Sequence, residues 1–254
     1  MKPEVLLSRI HVVLCRPSHP GNIGAAARAM KTMGLSRLHL VEPRAAFPDP
    51  EADVRATGAV DVLREARIHK SLADAVADAT FVVALSARRR DLGPEVGEPR
   101  EVVARLLSAA VDGNVALVFG NETVGLSNEE IQQCHVAVTI PANPDFSSLN
   151  LGAAVQILCY EIRMAAYLGV PPPVDLRVTT FASPQATHGE LEGLYGHFEE
   201  VMTDTGFFNP AQPGRLLPKL RRLFGRVRLE RDEINILRGI LAATQNPTQH
   251  ARKR

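Results

Sequence analysis

The sequence predicts an open, mainly parallel α/β sheet followed by a small all-helical unit. Three observations carry this reading. Short apolar runs at residues 10–14, 38–41, 80–85, 115–119 and 136–140 alternate with stretches of helical period. That alternation marks a parallel sheet whose crossovers are helices. From Gly169 the texture changes, because GVPPPVDLRVTTFASPQ has three consecutive prolines and no helical period. Beyond it come apolar helical faces with no strand between them.

In chain order, residues 10–14 form the first strand. Pro17, Pro20 and Gly21 make the loop after it, with Asn22 as the expected N-cap of an Ala-rich helix over 23–33. Gly34 ends that helix as a C′ residue. Residues 38–41 are the second strand, and 42–65 read as a loop marked by Pro43, Pro48 and Pro50. A short helix over 72–77 precedes the strand at 80–85, which runs into the basic stretch Ser86, Ala87, Arg88, Arg89 and Arg90. An amphipathic helix at 100–110 leads to the wholly apolar strand at 115–119. Ser127 and Glu130 have the spacing of a capping box. The last strand, 136–140, opens into the polar loop 141–148. A long apolar helix then begins near Leu149, with Ser148 placed to cap it, and carries Leu151, Val155, Leu158 and Ile162 at helical spacing.

The reading divides the chain into a sheet domain at 1–170, a Pro-rich linker at 171–186, a helical extension at 187–246 and a tail at 247–254. The extension opens with a second capping-box pair, Thr187 and Glu190. Its helices are marked by Leu191, Leu194 and Tyr195, by Leu216, Leu220 and Phe224, and by Ile234, Leu237 and Leu241.

Composition narrows the class. With 254 residues and 45% hydrophobic content, the chain is long enough for a sizeable core. No segment reads as a membrane span and no signal-peptide pattern precedes the first strand, so a cytoplasmic protein is expected. Cys15, Cys134 and Cys159 lie in apolar contexts without metal or redox spacing and read as buried thiols. His11, His19, His135 and His197 also lack ligand spacing, so no metal is expected. The near-zero net charge hides an asymmetry: residues 171–254 hold 12 Lys and Arg against 9 Asp and Glu. Arg215, Lys219, Arg221, Arg222, Arg226, Arg228 and Arg231 fall within 17 residues whose one acidic member is Glu230, which favours a polyanionic partner.

In a parallel sheet ligands bind at the carboxyl ends of strands. The polar loops at 16–22, 86–91, 120–127 and 141–148 lie there. Neither G-x-G-x-x-G nor G-x-x-x-x-G-K-[ST] occurs, which disfavours dinucleotide and P-loop sites. Three of the stretches, NIGAAARAMKTMG from Asn22, FGNETVGLSNEE from Phe119 and IPANPDFSSLNL from Ile140, resemble in order and wording the three motifs of the SPOUT-class RNA ribose 2′-O-methyltransferases. The resemblance spans nearly all of residues 8–168 and is nearest to the TrmJ type, which carries a helical C-terminal extension.

That resemblance implies a homodimer with a C-terminal trefoil knot that binds S-adenosylmethionine and methylates nucleotide 32 of the tRNA anticodon loop. It places Arg28 and Asn22 at the reacting hydroxyl, with Ser148 and Asn150 close to the ribose. It places the cofactor against Leu85, Ser86, Ala87, Gly120, Ile140, Ser147, Ser148 and Leu149. Arg28 has too high a pKa for a plain proton acceptor, so an electrostatic role suits it better: gripping a phosphate and stabilising the developing alkoxide. Glu122 is open between ordering its loop, positioning substrate and accepting a ligand donor. Arg88, Arg89 and Arg90 divide evenly between a solvated loop and tRNA phosphate contacts, whereas Lys219, Arg221, Arg222 and Arg226 are the stronger RNA-binding candidates. The rival readings are an enzyme of this class with another tRNA position or rRNA as target, and a non-catalytic RNA-binding protein on the same fold.

Overall fold

The computed structural model describes residues 1–86, 93–168 and 183–245. Seven strands form one sheet: β1 (Ile10–Cys15), β2 (Arg37–Val41), β3 (Arg67–His69), β4 (Ala79–Leu85), β5 (Glu95–Gly97), β6 (Asn114–Phe119) and β7 (Val136–Val138). Their order is β3-β2-β1-β6-β4-β7-β5, and every pairing is parallel. Helices α1 (Pro3–Leu7), α2 (Pro20–Met33), α3 (Pro50–Ala56), α4 (Val60–Arg64), α5 (Leu72–Ala75), α6 (Pro99–Ala110), α7 (Asn128–Gln132) and α8 (Leu151–Leu168) cover its faces. Then come α9 (His188–Asp204), α10 (Leu216–Val227) and α11 (Arg231–Gln245).

Both faces of the sheet are buried, which is why its strands read as unbroken apolar runs. On one face Ile10, Val12, Leu14, Leu38 and Leu40 pack with residues of α2, α3, α6 and α8. On the other, Val13, Cys15, Val41, Val82 and Val118 meet α5 and α7 through Leu72, Ala75 and Ile131. Alternate residues of β1 therefore serve opposite layers. Cys15, Cys134 and Cys159 are all buried free thiols, as their apolar settings require.

Several local readings need correction. The loop expected at 42–65 contains α3 and α4. Asp49 caps α3 by accepting from the Glu51 N–H at 2.8 Å, and Pro50 sits in its first turn. The two edge strands β3 and β5 were not foreseen, because three residues give no measurable period. The helix after β1 starts at Pro20 with His19 as N-cap, so Asn22 lies inside its first turn. Proline's fixed φ and missing N–H suit that first position. Helix α8 starts at Leu151, and the cap is Asn150: its Oδ1 accepts from the Gly152 N–H at 2.9 Å, which leaves Ser148 out of the role. By length and composition α8 alone among the described helices suits a membrane span. Here its Leu151, Val155, Leu158 and Ile162 are buried in the sheet's own core.

Close helix packing explains two glycines. A Cβ on Gly24 would stand 2.1 Å from the Ala52 carbonyl oxygen, so α2 and α3 approach nearly backbone to backbone. Gly34 closes α2 at φ 87°, a left-handed conformation that glycine adopts without strain.

Helices α9 and α11 pack through Leu191, Leu194, Val201, Ile234 and Leu241, with Phe224 of α10 against them. This unit docks on the amino-terminal side of the sheet. The Gly189 N–H donates to the Ala77 carbonyl at 3.0 Å, and the Arg228 guanidinium lies 5.4 Å from the Phe81 ring centroid. Phe81 also tilts against His135, whose Nδ1 accepts from the Val82 N–H at 3.0 Å. Burial lowers the pKa of His135 to about 3. Unfolded, the same imidazole titrates near 6.5. The unfolded chain thus binds a proton that the folded chain refuses between about pH 6.5 and 3, so this histidine's contribution to stability declines as pH falls through that window. We expect urea denaturation between pH 7.5 and 4.5 to show His135→Gln losing less stability on acidification than the parent, the slopes differing by up to one proton.

Candidate active site

Three loops leave the carboxyl ends of β1, β6 and β7 and are tied together by side chains, beginning with Glu122. Its carboxylate accepts from the Ser18 N–H (2.9 Å), the His19 N–H (3.4 Å) and Asn22 Nδ2 (2.9 Å). These donors stand at the start of α2, where N–H groups have no helical partner and an anion is favoured. Asn22 Oδ1 in turn accepts from Asn150 Nδ2 at 3.1 Å. One chain of contacts, Glu122 to Asn22 to Asn150, therefore links all three motif stretches. Burial pushes the Glu122 carboxyl upward, but the hydrogen bonds from Asn22, Ser18 and His19 outweigh it and the net shift is downward. Of the three roles open in sequence, ordering the loop is the one these contacts fill. A carboxylate with a lowered pKa and this many donors is a weak base.

Asn121 does comparable work. It is 4% exposed, and its Nδ2 donates to the Arg16 carbonyl (2.8 Å) and to Ser18 Oγ (2.6 Å). Its Oδ1 accepts from the N–H groups of Thr123 and Val124, which forms the turn after β6. Arg16 has φ 50°, unusual for a residue with a side chain. Its guanidinium grips Glu130 through both nitrogens, with Nη2 to Oε2 at 2.8 Å. Glu130 also completes the capping box of α7 by accepting from the Ser127 N–H. Burial raises the Glu130 pKa, but the hydrogen bonds from Arg16 and the Ser127 N–H together with the Arg16 charge outweigh it, and the result is a lowered carboxyl.

These loops border a cleft of about 690 Å³ that opens to solvent. Its wall is Leu85, Phe119, Gly120, Asn121, Glu122, Gly125, Ile140, Ser147, Ser148, Leu149, Leu151 and Ala154. The mix of apolar surface with a few polar groups suits a small-molecule site. Gly120 has no alternative: a Cβ there would lie 2.2 Å from the backbone of Gly125 and Leu126.

Of the residues singled out in sequence, Leu85, Gly120, Glu122, Ile140, Ser147, Ser148 and Leu149 meet at this cleft. Asn22 and Asn150 stand beside it through the contacts above. Ser86 continues β4, its N–H donating to the Val138 carbonyl at 3.0 Å. Ala87, Arg88, Arg89 and Arg90 lie outside the described residues. Arg28 is not on the wall. It is exposed on α2, with Nη1 3.5 Å from Thr57 Oγ1. Phe119, Asn121, Gly125, Leu151, Ala154, Arg16 and Glu130 were not named as site residues: Phe119, Asn121, Gly125 and Leu151 lie within the motif stretches, and Glu130 was read only as the capping-box partner of Ser127.

The RNA-binding candidates divide. Arg221 is engaged in packing: its guanidinium pairs through both nitrogens with Glu192 and lies 4.6 Å from the Tyr195 ring centroid. Arg231 pairs with Glu190 at 3.0 Å. Lys219, Arg222 and Arg226 are exposed, together with Arg215, at spacings of four, three and four residues, which puts them in one stripe along α10.

Comparison with known proteins adds the following. The SpoU rRNA Methylase family matches residues 9–160, and the C-terminal domain family of tRNA methyltransferase TrmJ matches residues 189–253. The Pseudomonas aeruginosa tRNA (cytidine/uridine/adenosine-2′-O-)-methyltransferase TrmJ is 47% identical over 245 residues, covering 94% of this chain and 95% of its own. The Escherichia coli tRNA (cytidine/uridine-2′-O-)-methyltransferase TrmJ is 47% identical over 240 residues, covering 94% and 96%. Among solved structures, TrmJ from Z. mobilis ZM4 superposes with a TM-score of 0.80 at 34% identity, covering 93% of this chain and 99% of that one. The SpoU methyltransferase AviRb from Streptomyces viridochromogenes, in complex with AdoMet, gives a TM-score of 0.50 at 26% identity, covering 62% and 57%.

The Arg16–Glu130 pair gives a direct test of the loop architecture. Arg16→Met leaves the buried Glu130 carboxylate without its partner and should lower the unfolding free energy by about 3 kcal/mol. Arg16→Met with Glu130→Gln should recover part of that loss, because no unpaired charge remains. Chemical denaturation of the three proteins measures both effects.

Proposed function

The chain belongs to the SpoU methylase family, and from that premise we propose that it methylates the ribose 2′-hydroxyl of nucleotide 32 in the tRNA anticodon loop. The observation that carries the reading is the convergence of the three motif stretches on one cleft, bordered by the Glu122–Asn22–Asn150 chain. The activity of the relatives, methylation of cytidine and uridine 2′-hydroxyls in tRNA, supports the substrate class.

S-adenosylmethionine supplies a methyl group on a sulfonium, a group that transfers to an oxygen nucleophile without a metal. The cleft fits such a molecule. Leu85, Phe119, Ile140 and Leu149 offer apolar walls, while Ser147, Ser148 and the backbone beside Gly120 offer polar contacts. Asn22 and Asn150 each retain a second amide hydrogen beyond those in the network, which suits them to hold the ribose. Arg28 supplies positive charge for a phosphate or a developing alkoxide. Since it stands off its own chain's cleft, it serves the cleft of a second copy in a homodimer, which gives two composite sites per dimer. Tyr160 and Leu168 of α8, 48% and 71% exposed, are apolar surface available to that copy. The same reading carries a trefoil knot at the C-terminal end of the sheet domain. The stripe Arg215, Lys219, Arg222 and Arg226 binds tRNA phosphates.

Mass spectrometry of tRNA incubated with protein and S-adenosylmethionine should find one 2′-O-methyl group, at position 32. A methyl group elsewhere would reassign the target, and none would remove the activity. Arg28→Ala should cut turnover by about 10²–10³ while leaving cofactor affinity intact. Co-expression of Arg28→Ala with Ser148→Trp, each inactive alone, should restore roughly a quarter of parental activity, since half the dimers are mixed and each has one intact site. Ser148 is the better pocket substitution because it is exposed, whereas Gly120 has no room for a side chain.

A second expectation concerns salt. Lys219→Glu with Arg226→Glu should weaken tRNA binding uniformly across sequences and flatten log Kd against log salt by roughly 1.5–2. An unchanged slope would remove the stripe from the interface.

A further inference from the structure

Phe146 is unaccounted for by cofactor binding, by the hydrogen-bond network or by the core. It is 78% exposed, among the most exposed large apolar side chains described. Its backbone is nevertheless held. Asn143 Oδ1 accepts from the Asp145 N–H at 3.0 Å, and the Asn143 carbonyl accepts from the Phe146 N–H at 2.9 Å. The aromatic ring is therefore presented to solvent on an ordered turn. The next three residues, Ser147, Ser148 and Leu149, are wall of the cleft. Two more exposed apolar side chains stand on wall-forming segments: Val124, 64% exposed between Glu122 and Gly125, and Leu149, 40% exposed.

We propose that Phe146 is a substrate-binding residue that stacks on the nucleobase of the target nucleotide, with Val124 and Leu149 as the flanking apolar rim. This rests on the reading of the cleft as a ribose methyltransferase site. A ribose whose 2′-oxygen reaches the cleft carries its base on the neighbouring carbon. A base drawn towards the wall with its ribose leaves its own stack. An unstacked base needs a new apolar face, and an aromatic ring within a few residues' reach of the wall provides one. Stacking accepts any base, since each has a π-face. Phe146 therefore sets how well an extruded nucleotide is held, whichever base it carries.

The protein contains no tryptophan, so Phe146→Trp creates a single reporter. Its emission should quench when a tRNA anticodon stem-loop is titrated in, and should not change when the protein alone is diluted. Phe146→Ala and Phe146→Leu should each lose about tenfold in kcat/KM for tRNA, while Phe146→Trp and Phe146→Tyr stay near the parent. Cofactor affinity and thermal midpoint should be unchanged in all four. Equal kcat/KM in Phe146→Ala and parent would overturn the proposal, as would full activity in Phe146→Leu, which keeps bulk without a π-face. Emission that responds to dilution and not to RNA would make Phe146 a contact between copies and also overturn it. An inactive parent protein would instead count against the methyltransferase reading.

Discussion

The Glu122 carboxylate on the first turn of α2 is the contact on which the cleft depends. Strands β1 and β6 are neighbours, so their following loops leave the sheet side by side. Nothing in the backbone ladder holds those loops together beyond the last paired residues. Glu122 does so by answering donors that α2 leaves unpaired, and Asn22 passes the constraint on to Asn150. A single ionised group thereby fixes the relative placement of segments more than a hundred residues apart. Arg16 and Glu130 repeat the device one layer deeper, joining the start of the first loop to α7. Each carboxylate is partly buried, so each must be matched by donors to avoid a desolvation penalty of several kcal/mol. That requirement makes the loops rigid.

Rigidity has a chemical use. Methyl transfer from a sulfonium to a hydroxyl needs alignment of the two reactants more than it needs a strong base. Among the described wall residues the only carboxylate is Glu122, whose pKa is lowered and whose oxygens already face several donors. His11, His39 and His69 form a stacked ladder across β1, β2 and β3, with ring centroids 4.6 and 4.9 Å apart, and burial lowers all three pKa values. Burial disfavours charge on these imidazoles, none of which lines the cleft. On the proposed reading, methyl transfer here would rest on orientation and on charge placed near the developing alkoxide.

The sheet was readable from sequence because both faces of each central strand are buried, and burial writes itself as an apolar run. The capping boxes at Ser127 and Thr187 were readable because their partners lie three residues away. What was not readable depends on distant pairing. Asn22 looks like an N-cap until Pro20 is seen to start the helix and Glu122 to take its amide. Arg221 looks like one more charge in a basic run until Glu192 and Tyr195 are seen around it. The cap of α8 at Asn150, rather than Ser148, turns on a loop conformation that no local pattern encodes. Edge strands of three residues are likewise set by their neighbours.

The position of Arg28 completes the argument. An arginine meant for the cleft of its own chain would project from the first turn of α2, where Asn22 stands. Arg28 instead lies well along the helix on its solvent side, with Thr57 at the outer limit of hydrogen bonding. Its neighbours Ala26, Ala27 and Ala29 are buried, so α2 cannot roll to bring Arg28 round without pulling those alanines out of the core. Gly24 against Ala52 and Gly152 against Ala25 further lock the helix between α3 and α8. The charge is thus held outward by packing. If it acts on a methyl acceptor, that acceptor must be brought to it by something other than its own cleft. In the proposed homodimer a second copy would do so, and a lone chain would then lack one part of the site whether or not cofactor is bound.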